Sequence, residues 1–573
     1  MSGEADPRLK VVLCWHMHQP QYRDLLGGAQ LRPWAYLHGI KDYVDMAVHL
    51  ESVPEACAVV NFSPVLLEQI DDYCAQLATH LRDGTPLADP VLGLLAPGGV
   101  PEDRSQWPVL VRACLRAHRE NLIGRFEGYR DLAALAERML RSGSIGDASP
   151  QLLTDLGAWF HLAWFGETVH RGDPRLQQLV RRNGHFSPAE LRTLLECVAD
   201  VLSGLVPRYR RLAGSGRIEL SVSPWGHPVM PLLFDFAAAR EAQPDLELPA
   251  AGRYPGGPDR ARWHLARAVQ AFHRYFGIRP HGCWPPEGAL SAAAMQLIES
   301  FGFDWVASGE SVLRRSLGGG DREPPGRDEL SCAWRLPGQR TACFFRDDEL
   351  SDLIGFTYNK WHGDDAAADF VRRLDAIAAA REDNSRRAVT VVLDGENAWE
   401  YYPFNGYYFL RALYQRLASH PRLRPSTFTA CLQEGVAVRD LQRLVAGSWI
   451  QGELSTWIGN PSRNLAWDML CEAKTVFDQV VVEGGLDEAG QRAAEEQLGV
   501  CEGSDWFWWF AEYNPEGTVG RFDALYRQHL RNLYAMLGEA APACLQEQIA
   551  HGEGAPPLGG SMLPAGGPVS PRD

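Results

Sequence analysis

Apolar positions in this chain follow two patterns. From Lys10 onward, short and nearly continuous apolar runs recur, each followed by a turn and then by a segment of helical periodicity. Runs of that kind suit strands buried on both faces, and their alternation with helices predicts a parallel sheet with crossover helices. Seven strands are expected, at 10–16, 56–62, 217–222, 281–284, 304–308, 342–345 and 389–394. Between the second and third, apolar residues recur three and four apart, as in LRTLLECVADVLSGLVPRYRRLA, so residues 63–215 read as a helical insertion rather than a second sheet. The pattern stays helical after the seventh strand, as in FDALYRQHLRNLYAMLGEA. A barrel-type unit is therefore expected over 1–430, with a helical bundle over 431–550 packed on it and completing its cleft. Residues 551–573 are rich in Gly and Pro and poor in large apolar side chains, which predicts disorder.

Composition narrows the classes. The 573 residues carry a formal charge of 56 − 72 = −16, with 45% hydrophobic and 22% charged positions, an ordinary globular balance. No stretch concentrates Lys and Arg without interleaved carboxylates, which argues against a nucleic-acid partner. There is no apolar leader in the opening MSGEADPRLK and no apolar run long enough to span a bilayer, so a cytoplasmic protein without a membrane partner is expected. The twelve cysteines are scattered singly and form no C-x-x-C pair, so they read as small buried apolar residues rather than metal or redox sites. The 18 Trp often neighbour Gly, Pro, Asn or Asp, positions that suit pocket rims as well as cores.

In barrels, chemistry sits where the loops after the strands converge. The residues following the expected strands are His16, His18 and Gln19; His227; Trp284 and Glu287; Arg346; and Asp394, Glu396 and Trp399. Glu287 leaves its strand through Pro285 and Pro286, which cannot continue a ladder. Asp394 ends the most apolar strand. Two carboxylates on separate strands facing one cavity are what glycoside hydrolysis requires, although a lone strand-end carboxylate is as often a helix cap or half of an ion pair. His16 and His18, two apart on extended backbone, point the same way and suit either metal ligation or donation to sugar hydroxyls. Farther along, Trp457, Asn460, Asn464 and Trp467 would share one face of a helix, a candidate sugar platform. Trp506, Trp508 and Trp509 read first as packing between the helical part and the barrel.

With these pieces assembled, the sequence resembles glycoside hydrolase family 57, the group of α-amylases, amylopullulanases, 4-α-glucanotransferases and branching enzymes. The resemblance rests on His16-Met17-His18-Gln19-Pro20, on Gly216-Arg217-Ile218-Glu219-Leu220 leading to His227-Pro228, on Cys283-Trp284-Pro285-Pro286-Glu287-Gly288, and on Leu393-Asp394-Gly395-Glu396-Asn397. It implies an incomplete, TIM-like (β/α)7 barrel followed by a helical domain, acting on α-glucans with retention. It further implies Glu287 as nucleophile and Asp394 as acid/base, with Glu219, the histidines and the helical-domain tryptophans shaping the subsites, and neither a metal nor another cofactor. The motifs are nearer to the amylases and amylopullulanases than to the branching enzymes. A 4-α-glucanotransferase with the same catalytic pair is the first alternative. A metal-dependent hydrolase or deacetylase using His16 and His18 is the second, and a glucan-binding protein with a decayed site is the third.

Overall fold

The computed structural model describes residues 6–318, 326–554 and 564–565. Its sheet contains ten strands: β1 (Leu9–Met17), β2 (Ala58–Phe62), β3 (Ile218–Val222), β4 (Gly282–Cys283), β5 (Trp305–Gly309), β6 (Ala333–Arg335), β7 (Ala342–Arg346), β8 (Ala388–Asp394), β9 (Leu423–Ser426) and β10 (Val438–Asp440). Seven run parallel in the spatial order β7-β5-β4-β3-β2-β1-β8, and each coincides with one of the seven expected runs. Every residue of β1 and β2 is buried, as the apolar runs require of strands covered on both faces.

The path does not close by a regular ladder. At its two ends, β7 and β8 are bridged by Asp347 N–H donating to the Thr390 carbonyl (2.8 Å) and by the Arg346 guanidinium donating to the Val392 carbonyl (3.2 Å). The result is the expected incomplete (β/α)7 barrel. Three short strands flank it: β6 antiparallel to β7, β10 beside β6, and β9 beside the first half of β1. Because β10 still pairs in the sheet, sheet structure extends past the expected boundary at 430.

The insertion between β2 and β3 is helical, and its longest helix, Pro188–Gly214, opens with a capping box between Ser187 and Glu190 and with Pro188 in the first turn. After the barrel come the helices Pro461–Val482, Glu488–Cys501, Ser504–Trp509 and Glu516–Leu537. Most of the expected disordered tail lies outside the described residues. Of the rest, Gly552 and Gly554 are held to the start of the last long helix by bonds to Glu516 and Asn514. All twelve cysteines are free and nine are buried. No helix among the described residues is long and apolar enough to cross a membrane.

Candidate active site

A cavity of about 300 Å³ opens at the C-terminal ends of the strands, within the size range of small-molecule sites. His16, His18, Gln19, His227, Glu287, Arg346, Asp394 and Glu396 all line it. Backbone geometry explains why. β1 and β8 pair with His16 opposite Asp394, so motifs nearly 380 positions apart leave the sheet together. Gly395 then passes so close to Met17 that a β-carbon would fall on the sulfur, and its N–H donates to the His16 carbonyl (2.6 Å). Glu287 follows Pro285-Pro286 with φ +61°, a left-handed conformation that is rare for glutamate and of the kind found where a side chain is held for function. The turn is tied down by the Trp449 N–H donating to the Glu287 carbonyl (3.0 Å).

The carboxylates share an unfavourable environment. Burial, followed by the neighbouring charges of Asp505 and Asp394, pushes Glu287 up to about 8. Burial lifts Asp394 to about 6, although Asn397, donating to its Oδ2 at 2.8 Å, works the other way. Glu396 is raised further, again by burial first and then by Asp394. Its Oε1 accepts from Gln19 (3.1 Å), and the Tyr43 hydroxyl also bonds to this carboxyl.

A chain of short hydrogen bonds leads away from Glu287. Its Oε1 meets the Ser504 hydroxyl (2.8 Å), which meets His227 Nδ1 (2.9 Å); His227 Nε2 meets His16 Nε2 (2.9 Å), and His16 Nδ1 meets Asn61 Oδ1 (2.7 Å). Burial holds His16 down to about 3 and His227 lower than usual, so both rings are neutral and carry one proton each. Ser504 donates to the carboxylate of Glu287, and with Glu287 protonated the chain can run the other way, from Glu287 through Ser504, His227 and His16 to Asn61. Ionising Glu287 turns the Ser504 hydroxyl back towards it and makes His227 donate from Nδ1. The direction of the chain thus reports the protonation state of Glu287.

Ser504 and Asp505 were not among the residues singled out from the sequence. They begin the short helix Ser504–Trp509, and Ser504 N–H donates to the His227 carbonyl (2.8 Å). Asp505 accepts from His18 Nε2 (3.0 Å), whose ring stacks on His227 with centroids 3.7 Å apart. Donor atoms of His18, His227 and Asp505 lie within 4.8 Å of one another, the spacing of a metal-binding trio. His16, expected beside His18 in a metal reading, is occupied instead by Asn61 and His227.

Several expected contacts are corrected. Glu219 does not reach the cavity; it accepts from the Trp305 indole (2.6 Å) and from the Thr429 hydroxyl (2.6 Å), tying β3 to β5 and to the helix after β9. Trp457 and Asn460 precede the helix Pro461–Val482 and so share no helical face with Trp467; Asn460 caps that helix through Ser462 N–H (2.9 Å). Trp467 is fully buried against Phe507, with ring centroids 4.2 Å apart, and donates to the Trp457 carbonyl (3.0 Å). Trp284 and Trp399 are also buried, behind the lining: Trp284 packs on Trp449, and Trp399 donates to the Gly395 carbonyl (2.8 Å). The indoles on the lining are Trp34, Trp164, Trp449, Trp508 and Trp509. The indole N–H of Trp164 is buried with no partner among the described residues, a donor left for a hydroxyl-rich ligand, while the Trp449 indole bonds to the Glu287 carboxyl and favours its ionised form.

Residues 12–438 match the sequence profile of glycosyl hydrolase family 57. The chain belongs to that family. Its fold is also that of three solved family structures. A branching enzyme from Thermococcus kodakaraensis is 15% identical, with 94% of this chain and 93% of that one covered and a TM-score of 0.57. A branching enzyme from Pyrococcus horikoshii is 16% identical, with 98% and 99% covered and a TM-score of 0.53. The α-amylase AmyC of Thermotoga maritima is 11% identical, with 94% and 96% covered and a TM-score of 0.54. No curated protein sequence matches the chain. Family 57 membership makes this chain an α-glucan-active glycosidase with scope for transglycosylation.

Proposed function

We infer that the enzyme cleaves α-1,4-linked glucans, together with α-1,6 branches in them, by double displacement in the manner of an amylase or amylopullulanase, with Glu287 as nucleophile and Asp394 as acid/base. The observation that carries this reading is the convergence of both carboxyls, from separate strand ends, on one buried cavity lined by indoles. In the first step, Asp394 gives its proton to the glycosidic oxygen while a carboxylate oxygen of Glu287 bonds to the anomeric carbon and the carbon–oxygen bond to the leaving sugar breaks. In the second, Asp394 takes a proton from water, which displaces Glu287 and restores the original anomeric configuration.

One proton on the pair is the correct count for this cycle. The stronger upward shift at Glu287 favours the proton there before substrate binds. Productive binding moves it to Asp394, and the Ser504 hydroxyl then turns to donate to the ionised nucleophile. Burial and the neighbouring Asp394 raise Glu396 as well, which favours its neutral form beside the pair.

A second reading is transfer to a sugar hydroxyl instead of water, as in a 4-α-glucanotransferase or a branching enzyme. It is favoured by the two branching enzymes whose structures this chain follows over nearly their whole length. Incubating the wild type and Glu287→Gln with maltoheptaose and pullulan separates the readings. Shorter products alone mean hydrolysis, a ladder above the starting length means transfer, and loss of both in the variant places the chemistry at Glu287. Unchanged turnover in the variant would remove the assignment.

A further inference from the structure

Three arginines line the same cavity, Arg32 ahead of the helix Trp34–His38, Arg116 just after the helix Trp107–Cys114, and Arg521 on the helix Glu516–Leu537. None forms an ion pair with a described residue. Arg32 donates to the Leu31 carbonyl (2.7 Å) and Arg521 to the Thr518 hydroxyl (2.9 Å), which are neutral partners. Burial, with Arg116 and then Arg32 nearby, brings Arg521 down to about 10, and burial followed by Arg116 also lowers Arg32. The lining also holds Glu400 and the carboxyls described above, and none of them lies within ion-pair distance of these three arginines among the described residues.

Unpaired cations drawn together in a half-buried cleft are unusual in a chain of net charge −16, where carboxylates are plentiful. The double displacement on a neutral glucan uses none of them. Arg346 shows the contrast: it lines the same cavity but is matched by Asp348 (2.7 Å) and Asp352 (3.2 Å). Beside the three arginines, the cavity offers apolar faces for a sugar ring: Trp34 on the barrel side, and Trp509 stacked on Phe522 with centroids 4.5 Å apart on the helical side. Guanidinium forks match the oxygens of a phosphate group, and an indole beside them matches the ring that carries it.

We propose that Arg32, Arg116 and Arg521 form an anion subsite at the active-site cavity that takes a phosphate monoester, carried on a sugar of the glucan substrate or acceptor. The sugar part of this proposal rests on the α-glucan reading, whereas the anion part stands on the arginines alone. Binding is measured by calorimetry on the full chain carrying Glu287→Gln, to prevent turnover, using maltotriose, maltotriose phosphorylated at either end, and inorganic phosphate. One of the phosphorylated sugars should bind roughly 10- to 100-fold more tightly than maltotriose, the range expected of hydrogen bonds to charged groups. The advantage should shrink as salt is raised and disappear in Arg116→Gln/Arg521→Gln, while maltotriose itself binds as before.

Arg32→Gln provides the same comparison should the double variant fail to fold. Equal affinity for phosphorylated and neutral sugar overturns the proposal, even if inorganic phosphate binds; so does an advantage that survives the arginine substitutions. Arginine-dependent binding of inorganic phosphate and of a phosphorylated sugar, with no binding of maltotriose, upholds the anion site and removes the glucan reading instead.

Discussion

Replacing Glu287 by glutamine probes the electrostatics of the site while keeping its shape. The folded chain raises this carboxyl from 4.5 to about 8, with burial as the main cause and Asp505 and Asp394 adding to it. A group that binds its proton more tightly when folded contributes stability that is fully present below its unfolded pKa and is lost as pH rises through the folded one. The window here runs from about pH 4.5 to about pH 8. At about 1.4 kcal/mol per unit, a shift of roughly 3.5 units amounts to about 4–5 kcal/mol. With a transition entropy of about 2.1 cal/mol/K per residue, 573 residues give about 1.2 kcal/mol/K, so the loss corresponds to roughly 4 °C in the thermal midpoint. Glutamine imitates the neutral carboxyl at every pH. Scanning calorimetry should therefore find the two proteins within about 1 °C at pH 5, and the variant about 3–4 °C higher at pH 9. A gap that stays constant with pH, or a wild type that gains on the variant towards pH 9, would mean that Glu287 is already ionised in the resting fold, and the proton accounting above would fail.

Other substitutions separate the remaining roles. Ser504→Ala removes the hydroxyl that donates to Glu287 in its ionised state, so the acid limb of the kcat profile should move up by about one unit and kcat should fall roughly 10- to 100-fold; an unmoved profile would assign Ser504 to docking only. Asp394→Asn should slow cleavage of maltoheptaose by roughly 10²- to 10⁴-fold but spare the cleavage of an aryl glycoside whose leaving group needs no proton; equal loss on both would deny Asp394 the acid role. Glu219→Ala should lower stability by about 1–3 kcal/mol, through the lost bonds to Trp305 and Thr429, and leave KM unchanged; a raised KM would return Glu219 to the substrate.

What could be read from the sequence follows from which interactions are local. The seven barrel strands were legible because a parallel strand covered on both faces leaves an apolar run, as in Val389–Asp394 and Lys10–His16. The strands Ala333–Arg335, Leu423–Ser426 and Val438–Asp440 were not, being three or four residues long and containing Arg, Pro or Asp. His16, His18, Gln19, His227, Glu287, Arg346, Asp394 and Glu396 reach the cavity because a strand's last residue and the turn after it share one end of the barrel, whereas Trp284 and Trp399 turn behind the lining. Ser504, Asp505 and Arg521 escaped because only docking of the helical part, more than 200 positions from Glu287, brings them there. Asp505 stands immediately before the tryptophan cluster, where the indoles drew attention and the carboxylate did not. Trp457 and Trp467 were misjudged for a physical reason: an indole beside a carboxamide looks polar in sequence, yet each ring is buried here among other aromatic groups. Glu219 sits in the middle of a matching motif, but the second residue of β3 lies too far from the strand's C-terminal end to reach the cavity.

The most direct test of the central claim is to trap the glycosyl-enzyme with a fluorinated maltosyl fluoride that slows its breakdown, and to locate the label by mass spectrometry of the digested protein. The account predicts one added fluorinated maltosyl group, on the peptide containing Glu287 and on that side chain. A label on Asp394 or Asp505, or a fully turned-over inhibitor that leaves no covalent adduct while the enzyme inverts the anomeric centre, would contradict it.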